Sequence, residues 1–132
     1  MCSFTQINGQ EHAISLEAQL DDKEDILRIN QRIVYYNNSD STLTNIFLHN
    51  WANGYKNNNA PLANRLIEDY DKSLYFANQK NRGFTRINNL TVDFEATPFL
   101  EVENGKIDII KIILNAPLAS KKSITINIAY DV

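Results

Sequence analysis

The side chains in this sequence that could carry catalysis are two histidines and one cysteine, His12, His49 and Cys2. Hydrolytic zinc sites commonly use His-Glu-x-x-His on a helix, where the spacing places both imidazoles on one face, and neither histidine begins such a run. No Gly-x-Ser-x-Gly elbow, phosphate-binding loop or dinucleotide fingerprint occurs, and Cys2 has no evident base partner. We therefore expect no catalytic residue, metal ligand or cofactor site in this chain, which alone is not an enzyme.

A second group of chemically versatile side chains lies in residues 47–57, where aromatic rings, an imidazole and amides follow one another at the end of a predicted strand. One interpretation is an edge that docks a partner or contacts a ligand, and the other is a core aromatic followed by a locally hydrogen-bonded turn. For His49 alone, a structural imidazole is favoured over a metal ligand. The candidates for an interdomain or ligand contact, two of them from the segment that follows, are Leu48, His49, Trp51, Tyr55, Leu62 and Leu66.

The elements that must position these residues are strands, because apolar residues recur with period two rather than 3.6. Residues 12–20 alternate so that one face carries Ile14, Leu16, Ala18 and Leu20. The third predicted strand has apolar residues on both faces, so we expect it to be covered on both sides, by the opposing sheet and by the following segment or a neighbouring domain. The remaining signals are strands at 25–36, 43–51, 86–94, 99–103, 106–115 and 123–132, a candidate bulge at Asn88-Asn89 and a hairpin turn at Asn104-Gly105.

Residues 52–85 interrupt the alternation with a polar segment rich in Asn and Lys. It contains one predicted helix at 61–70, where Pro61 suits the first turn and Leu62, Leu66 and Tyr70 share a stripe. Segments of this length inside a compact domain tend to be functional or to pack on a partner. The predicted fold is therefore all-β, an antiparallel β-sandwich of about seven strands with one short helix in a long inserted segment.

Length and charge narrow the class of protein further. The chain has 132 residues, and we expect one sandwich domain at 11–132. Residues 1–10 are either the remnant of a secretory signal, which would make the protein exported, or a disordered, tag-like end. A net charge of -3 argues against nucleic acid as a partner, and no apolar run approaches the roughly 20 residues of a membrane span.

Six segments carry a resemblance to a known family, namely Leu20-Asp21-Asp22-Lys23, Ile33-Val34-Tyr35-Tyr36-Asn37-Asn38-Ser39, residues 43–57, Leu62-Ala63, Arg82-Gly83 and Leu114-Asn115-Ala116-Pro117-Leu118. Together they resemble the opening domain of aminopeptidase-N-type zinc metallopeptidases, most closely the exported Bacteroidetes branch. The resemblance implies a non-catalytic N-terminal scaffold domain that packs against the catalytic domain of the same polypeptide and shapes its cleft. It also implies that the full-length protein is a zinc-dependent peptidase, with the zinc in that other domain.

A rival hypothesis stays open beside the scaffold domain. The chain is then a free-standing secreted β-sandwich that binds a carbohydrate or a protein ligand. The gene sequence beyond Val132 distinguishes the two hypotheses, because only the first requires a His-Glu-x-x-His run downstream.

Overall fold

The period-two segments form strands in the computed structural model, which describes residues 12–102 and 106–132. The helices in these ranges are α1 (Pro61–Glu68) and α2 (Ser73–Phe76), and 3₁₀ helices cover Trp51–Tyr55 and Gln79–Asn81. The strands are β1 (Ala13–Asp21), β2 (Ile26–Tyr36), β3 (Leu43–His49), β4 (Arg86–Val92), β5 (Glu95–Ala96), β6 (Phe99–Glu101), β7 (Ile109–Leu118) and β8 (Ser123–Asp131).

The strands assemble into two antiparallel sheets, which confirms the predicted all-β sandwich. The large sheet has the order β1-β2-β8-β4-β5, and the small sheet has the order β3-β7-β6. The strand beyond the predicted seven is β5, which pairs with β4 across the turn at Asp93-Phe94. The predicted bulge is confirmed by a register shift between Ile87 and Asn89, whereas the turn predicted at Asn104-Gly105 lies outside the described residues.

The core lies between the two sheets and consists mainly of β-branched residues and leucine. Ile112 of the small sheet and Ile126 of the large sheet have no exposed surface. Each fully buried side chain of this size contributes roughly 1.5–3 kcal/mol relative to an exposed one. The buried members of the cluster are Ile33, Ile46, Leu90, Val92, Ile110, Ile112, Leu114, Leu118, Ile124, Ile126 and Ile128.

The apolar face of the first strand is largely exposed to solvent. Ile14, Leu16 and Leu20 are 66%, 52% and 67% exposed. The main core cluster takes its large-sheet residues from β2, β4 and β8, and none comes from β1. Because the small sheet has only three strands, it does not extend over the outermost strand of a five-stranded partner.

The third strand also differs from the prediction. It ends at His49, and Trp51 begins a 3₁₀ helix instead of continuing the strand. Ile46 is buried against the large sheet, but Phe47 on the opposite face is 60% exposed. The inserted segment 52–85 therefore does not provide the second cover.

The inserted segment packs as a small unit of its own. Its buried apolar cluster consists of Ala60, Ala63 and Leu74, and Leu62 and Leu66 pack against them. The predicted helix is present, but it ends at Glu68, so Tyr70 lies beyond it with a φ of 63°. No helix in the described ranges is long and apolar enough to cross a membrane.

Candidate interdomain surface

A buried asparagine fixes the 3₁₀ helix that follows β3. The side chain of Asn53 is 1% exposed, and its amide nitrogen donates hydrogen bonds to Glu101 Oε1 at 3.3 Å and to the Ile107 carbonyl at 3.1 Å. Its amide oxygen accepts a hydrogen bond from the Thr85 N–H at 3.0 Å. Lys56, one residue beyond this helix, also contacts Glu101 Oε1, at 3.3 Å. These contacts tie the start of the inserted segment to β6, to Ile107 just before β7 and to Thr85 just before β4.

The fixed 3₁₀ helix places Trp51 beside His49. Their rings stack with centroids 5.2 Å apart and an interplanar angle of 17°. Between them, the Asn50 N–H donates to the Asp108 carbonyl at 2.6 Å, which holds the end of β3 against the approach to β7. Trp51 nevertheless remains 72% exposed, so the stack presents an aromatic surface to solvent.

Below this stack lies a groove of about 410 Å³ at the open end of the sandwich. Its polar groups include Gln31 and Tyr130, whose hydroxyl donates to Gln31 Oε1 at 3.0 Å. Burial raises the pKa of the Tyr130 phenol above its ordinary value, so the hydroxyl is neutral at physiological pH. The lining is otherwise mainly apolar, with Ile14, Ile29, Ile33, Leu48, Trp51, Ile87, Ile110 and Ile128 among its residues.

The outer face of the small sheet, which points away from the large sheet, is the second notable surface. The strand register aligns Phe47, Lys111 and Leu100 in one row across β3, β7 and β6. Phe47 is 60% and Leu100 is 55% exposed, and Ile109 and Ile113 on the same face are half-buried. Antiparallel sheets with one solvated face normally show polar side chains there, so this face has the composition of a covered surface.

The six predicted contact residues fall into two groups. Leu48, His49 and Trp51 line the groove together, and Tyr55 lies at the far end of the same 3₁₀ helix, 48% exposed. Leu62 and Leu66 instead pack inside the inserted segment. Sequence reasoning did not single out Phe47 with Leu100, or Gln31 with Tyr130. The exposed position of Phe47 could have been suspected from the apolar residues on both faces of β3. No local pattern links Gln31 to Tyr130, which lies about a hundred residues further along the chain.

The side chains that could ligate a metal are dispersed in the described part of the chain. Within 12–102 and 106–132, no three His, Cys, Asp or Glu side chains come close enough together to hold one ion. His49 stacks on Trp51, and the Nδ1 atom of His12 accepts a hydrogen bond from the Tyr36 N–H at 3.2 Å. Both imidazoles therefore have contacts of a structural kind.

Among known proteins, solved structures provide the likeness to this chain. No family model matches the chain, and no curated protein matches it. Among solved structures, a mutant M1 zinc metallopeptidase from Deinococcus radiodurans, bound to a Tyr-Ser-Ala substrate, is similar with a TM-score of 0.41 and 8% sequence identity. The similarity covers 79% of this chain and 16% of that one. A TM-score this low carries no argument about family, which therefore remains a proposal.

Proposed function

We propose that this chain is a non-catalytic scaffold domain of a larger, aminopeptidase-N-type zinc metallopeptidase, and that it packs against the catalytic domain and helps to shape its cleft. The sequence segments that resemble the opening domain of that family motivate the proposal. The single structural observation that supports it is the apolar outer face of the small sheet, centred on Phe47 and Leu100.

A second domain that covers this face would bury its apolar side chains. Interfaces between domains of one polypeptide typically bury roughly 600–1,500 Å². Removing a large apolar side chain from water is worth roughly 1.5–3 kcal/mol, so Phe47 and Leu100 would together provide a substantial part of the docking free energy. Lys111 between them can lay its aliphatic stem on the contact and keep its ammonium group at the rim.

The rest of the proposal concerns what lies outside this chain. The catalytic domain would hold the zinc, since the described residues here offer no ligand set. Export and membership of the Bacteroidetes branch belong to the same proposal, and they rest on the sequence resemblance alone. Residues 1–10, which prompted the idea of a secretory signal, lie outside the described residues.

The test is to read the gene beyond the codon for Val132 and to produce whatever polypeptide it encodes. We expect a His-Glu-x-x-His run downstream and metal-dependent peptidase activity in the longer protein. In that protein, Phe47→Asp should increase cleavage between the domains in limited proteolysis. Phe76→Asp is the matched control, because Phe76 is 73% exposed but lies on α2, away from the outer face. A native protein of 15.1 kDa, ending at Val132, would refute the proposal.

The groove favours a second candidate function, that of a free-standing binding module. It combines an apolar lining with the Gln31–Tyr130 pair and an aromatic edge, which is the usual composition of a ligand pocket. Trp51 is the only tryptophan in the chain, so its fluorescence reports directly on occupation of the groove. Saturable quenching by an oligosaccharide or peptide, abolished by Ile128→Gln, would support this function. An unchanged spectrum across both ligand classes would count against it.

A further inference from the structure

The four sheet edges in the described part of the chain differ in how well they are protected from pairing with another strand. Strands β5 and β6, at two of the edges, span only Glu95–Ala96 and Phe99–Glu101. At the third edge, the pairing of β3 with β7 shifts register between Leu43 and Asn45. Short strands and irregularities of this kind are the usual means by which proteins prevent edge-to-edge association.

The fourth edge, β1, has none of this protection. It pairs with β2 without interruption from Ala13 to Asp21, and no described residue pairs with its other side. The strand contains no proline, glycine or lysine. Its apolar row, Ile14, Leu16 and Leu20, is more than half exposed at every position. A long, regular and apolar edge is the kind of edge that recruits another strand.

We propose that β1 pairs with β1 of a second copy of this chain, antiparallel and about a two-fold axis that passes through Ala18 perpendicular to the sheet. With an axis in this direction, even-numbered residues of one copy lie opposite even-numbered residues of the other. The apolar rows of both copies therefore lie on the same side of the joined sheet. The two large sheets become one continuous sheet. The pairing uses residues 15–21 of each copy and does not depend on the proposed scaffold function.

Side-chain complementarity selects this register over its neighbours. With Ala18 on the axis, Leu16 lies opposite Leu20 of the second copy, and Glu17 lies opposite Gln19, which can donate a hydrogen bond to the carboxylate. With Glu17 on the axis, two carboxylates would face each other directly, which is unfavourable. With Leu16 on the axis, Leu20 would lie opposite His12 and lose its apolar partner. The chosen register therefore pairs the two leucines twice and opposes no like charges.

Sedimentation analysis of the full 132-residue chain tests the association. We expect a concentration-dependent dimer whose Kd rises roughly 10-fold in Leu16→Lys, because each dimer loses two cross-strand leucine pairs. Phe76→Lys is the control, since Phe76 is 73% exposed but lies on α2, outside both β1 and the outer face of the small sheet, and it should leave the Kd unchanged. A chain that stays monomeric up to its solubility limit, or a dimer that survives Leu16→Lys, overturns the proposal.

Cysteine crosslinking tests the register independently. In a Cys2→Ser background, Ala18→Cys should form a disulfide-linked dimer under mild oxidation, because residues directly opposite in an antiparallel pair have Cα atoms about 4.5–5.5 Å apart, which a disulfide can span. Ser15→Cys should not, since six positions along the strand separate it from Ser15 of the second copy in this register. The two-fold arrangement is refuted if the Ser15→Cys protein forms the crosslink. It is also refuted if the Ala18→Cys protein sediments as a dimer but forms no crosslink.

Discussion

Replacing Asn53 tests whether the 3₁₀ helix that carries Trp51 is held by the buried amide. Asn53→Ala removes two hydrogen bonds donated to Glu101 and Ile107 and one accepted from Thr85. Each is worth about 0.5–1.5 kcal/mol net, and the Thr85 N–H and Ile107 carbonyl lose a partner in half-buried positions that water reaches only in part. We expect the free energy of unfolding to fall by about 2–4 kcal/mol.

The assay is equilibrium unfolding in urea, followed by far-ultraviolet circular dichroism and by Trp51 fluorescence. With roughly 4 °C per kcal/mol for a chain of this size, the melting temperature should fall by about 8–16 °C. Asn64→Ala is the matched control, because Asn64 is exposed on α1, and it should change stability by less than about 0.5 kcal/mol. Asn53→Asp should be at least as damaging as Asn53→Ala at neutral pH, since it loses both donors and adds a second carboxylate beside Glu101. A loss below about 0.5 kcal/mol in Asn53→Ala would show that the amide does not hold this segment.

Three further outcomes follow from the described contacts. Phe94 occupies the turn between β4 and β5 with a φ of 70°. In urea titrations, Phe94→Gly should raise the free energy of unfolding by about 1 kcal/mol, and Phe94→Ala, which keeps the Cβ, should raise it by less. The Arg86 guanidinium, with the side chain of Asn88, lowers the pKa of Asp131 below its ordinary 3.8. The ionised Asp131 therefore stabilises the folded state fully above pH 3.8, and this contribution is lost as the pH falls through the lower, folded-state pKa. Arg86→Gln should raise that pKa in an NMR titration, and an unmoved value would refute the assignment. Ile112 has no exposed surface, so Ile112→Ala should lower the free energy of unfolding by about 3 kcal/mol and Ile112→Val by about 1 kcal/mol. Equal losses in the two variants would show that a cavity is not the cause.

Local patterns in the sequence predicted most of the secondary structure. Period-two alternation located the long strands, Pro61 marked the start of α1, and Asn88-Asn89 marked the bulge in β4. These features depend on neighbours a few residues apart, so they can be read without knowing the fold. The end of β3 at His49 was not predicted, because the Asn53 contacts that favour a 3₁₀ helix come from β6, the approach to β7 and the approach to β4.

The candidate surface was predictable only where its residues are adjacent in sequence. Leu48, His49 and Trp51 lie within one short stretch and do come together at the groove. Leu62 and Leu66 were grouped with them, but they pack in the small cluster of the inserted segment, because Ala60, Ala63 and Leu74 offer a closer apolar surface. Gln31 and Tyr130 meet only because β2 and β8 are neighbours in the large sheet.

The sequence by itself determined which side chains share a face, because neighbouring residues in a strand point to opposite sides. Ile14 and Ile33 have the same local signature and even pair across β1 and β2. Yet Ile33 is 7% exposed and Ile14 is 66% exposed. Only the tertiary structure decided this difference, since burial depends on what lies opposite, and a three-stranded sheet does not cover all five strands of its partner.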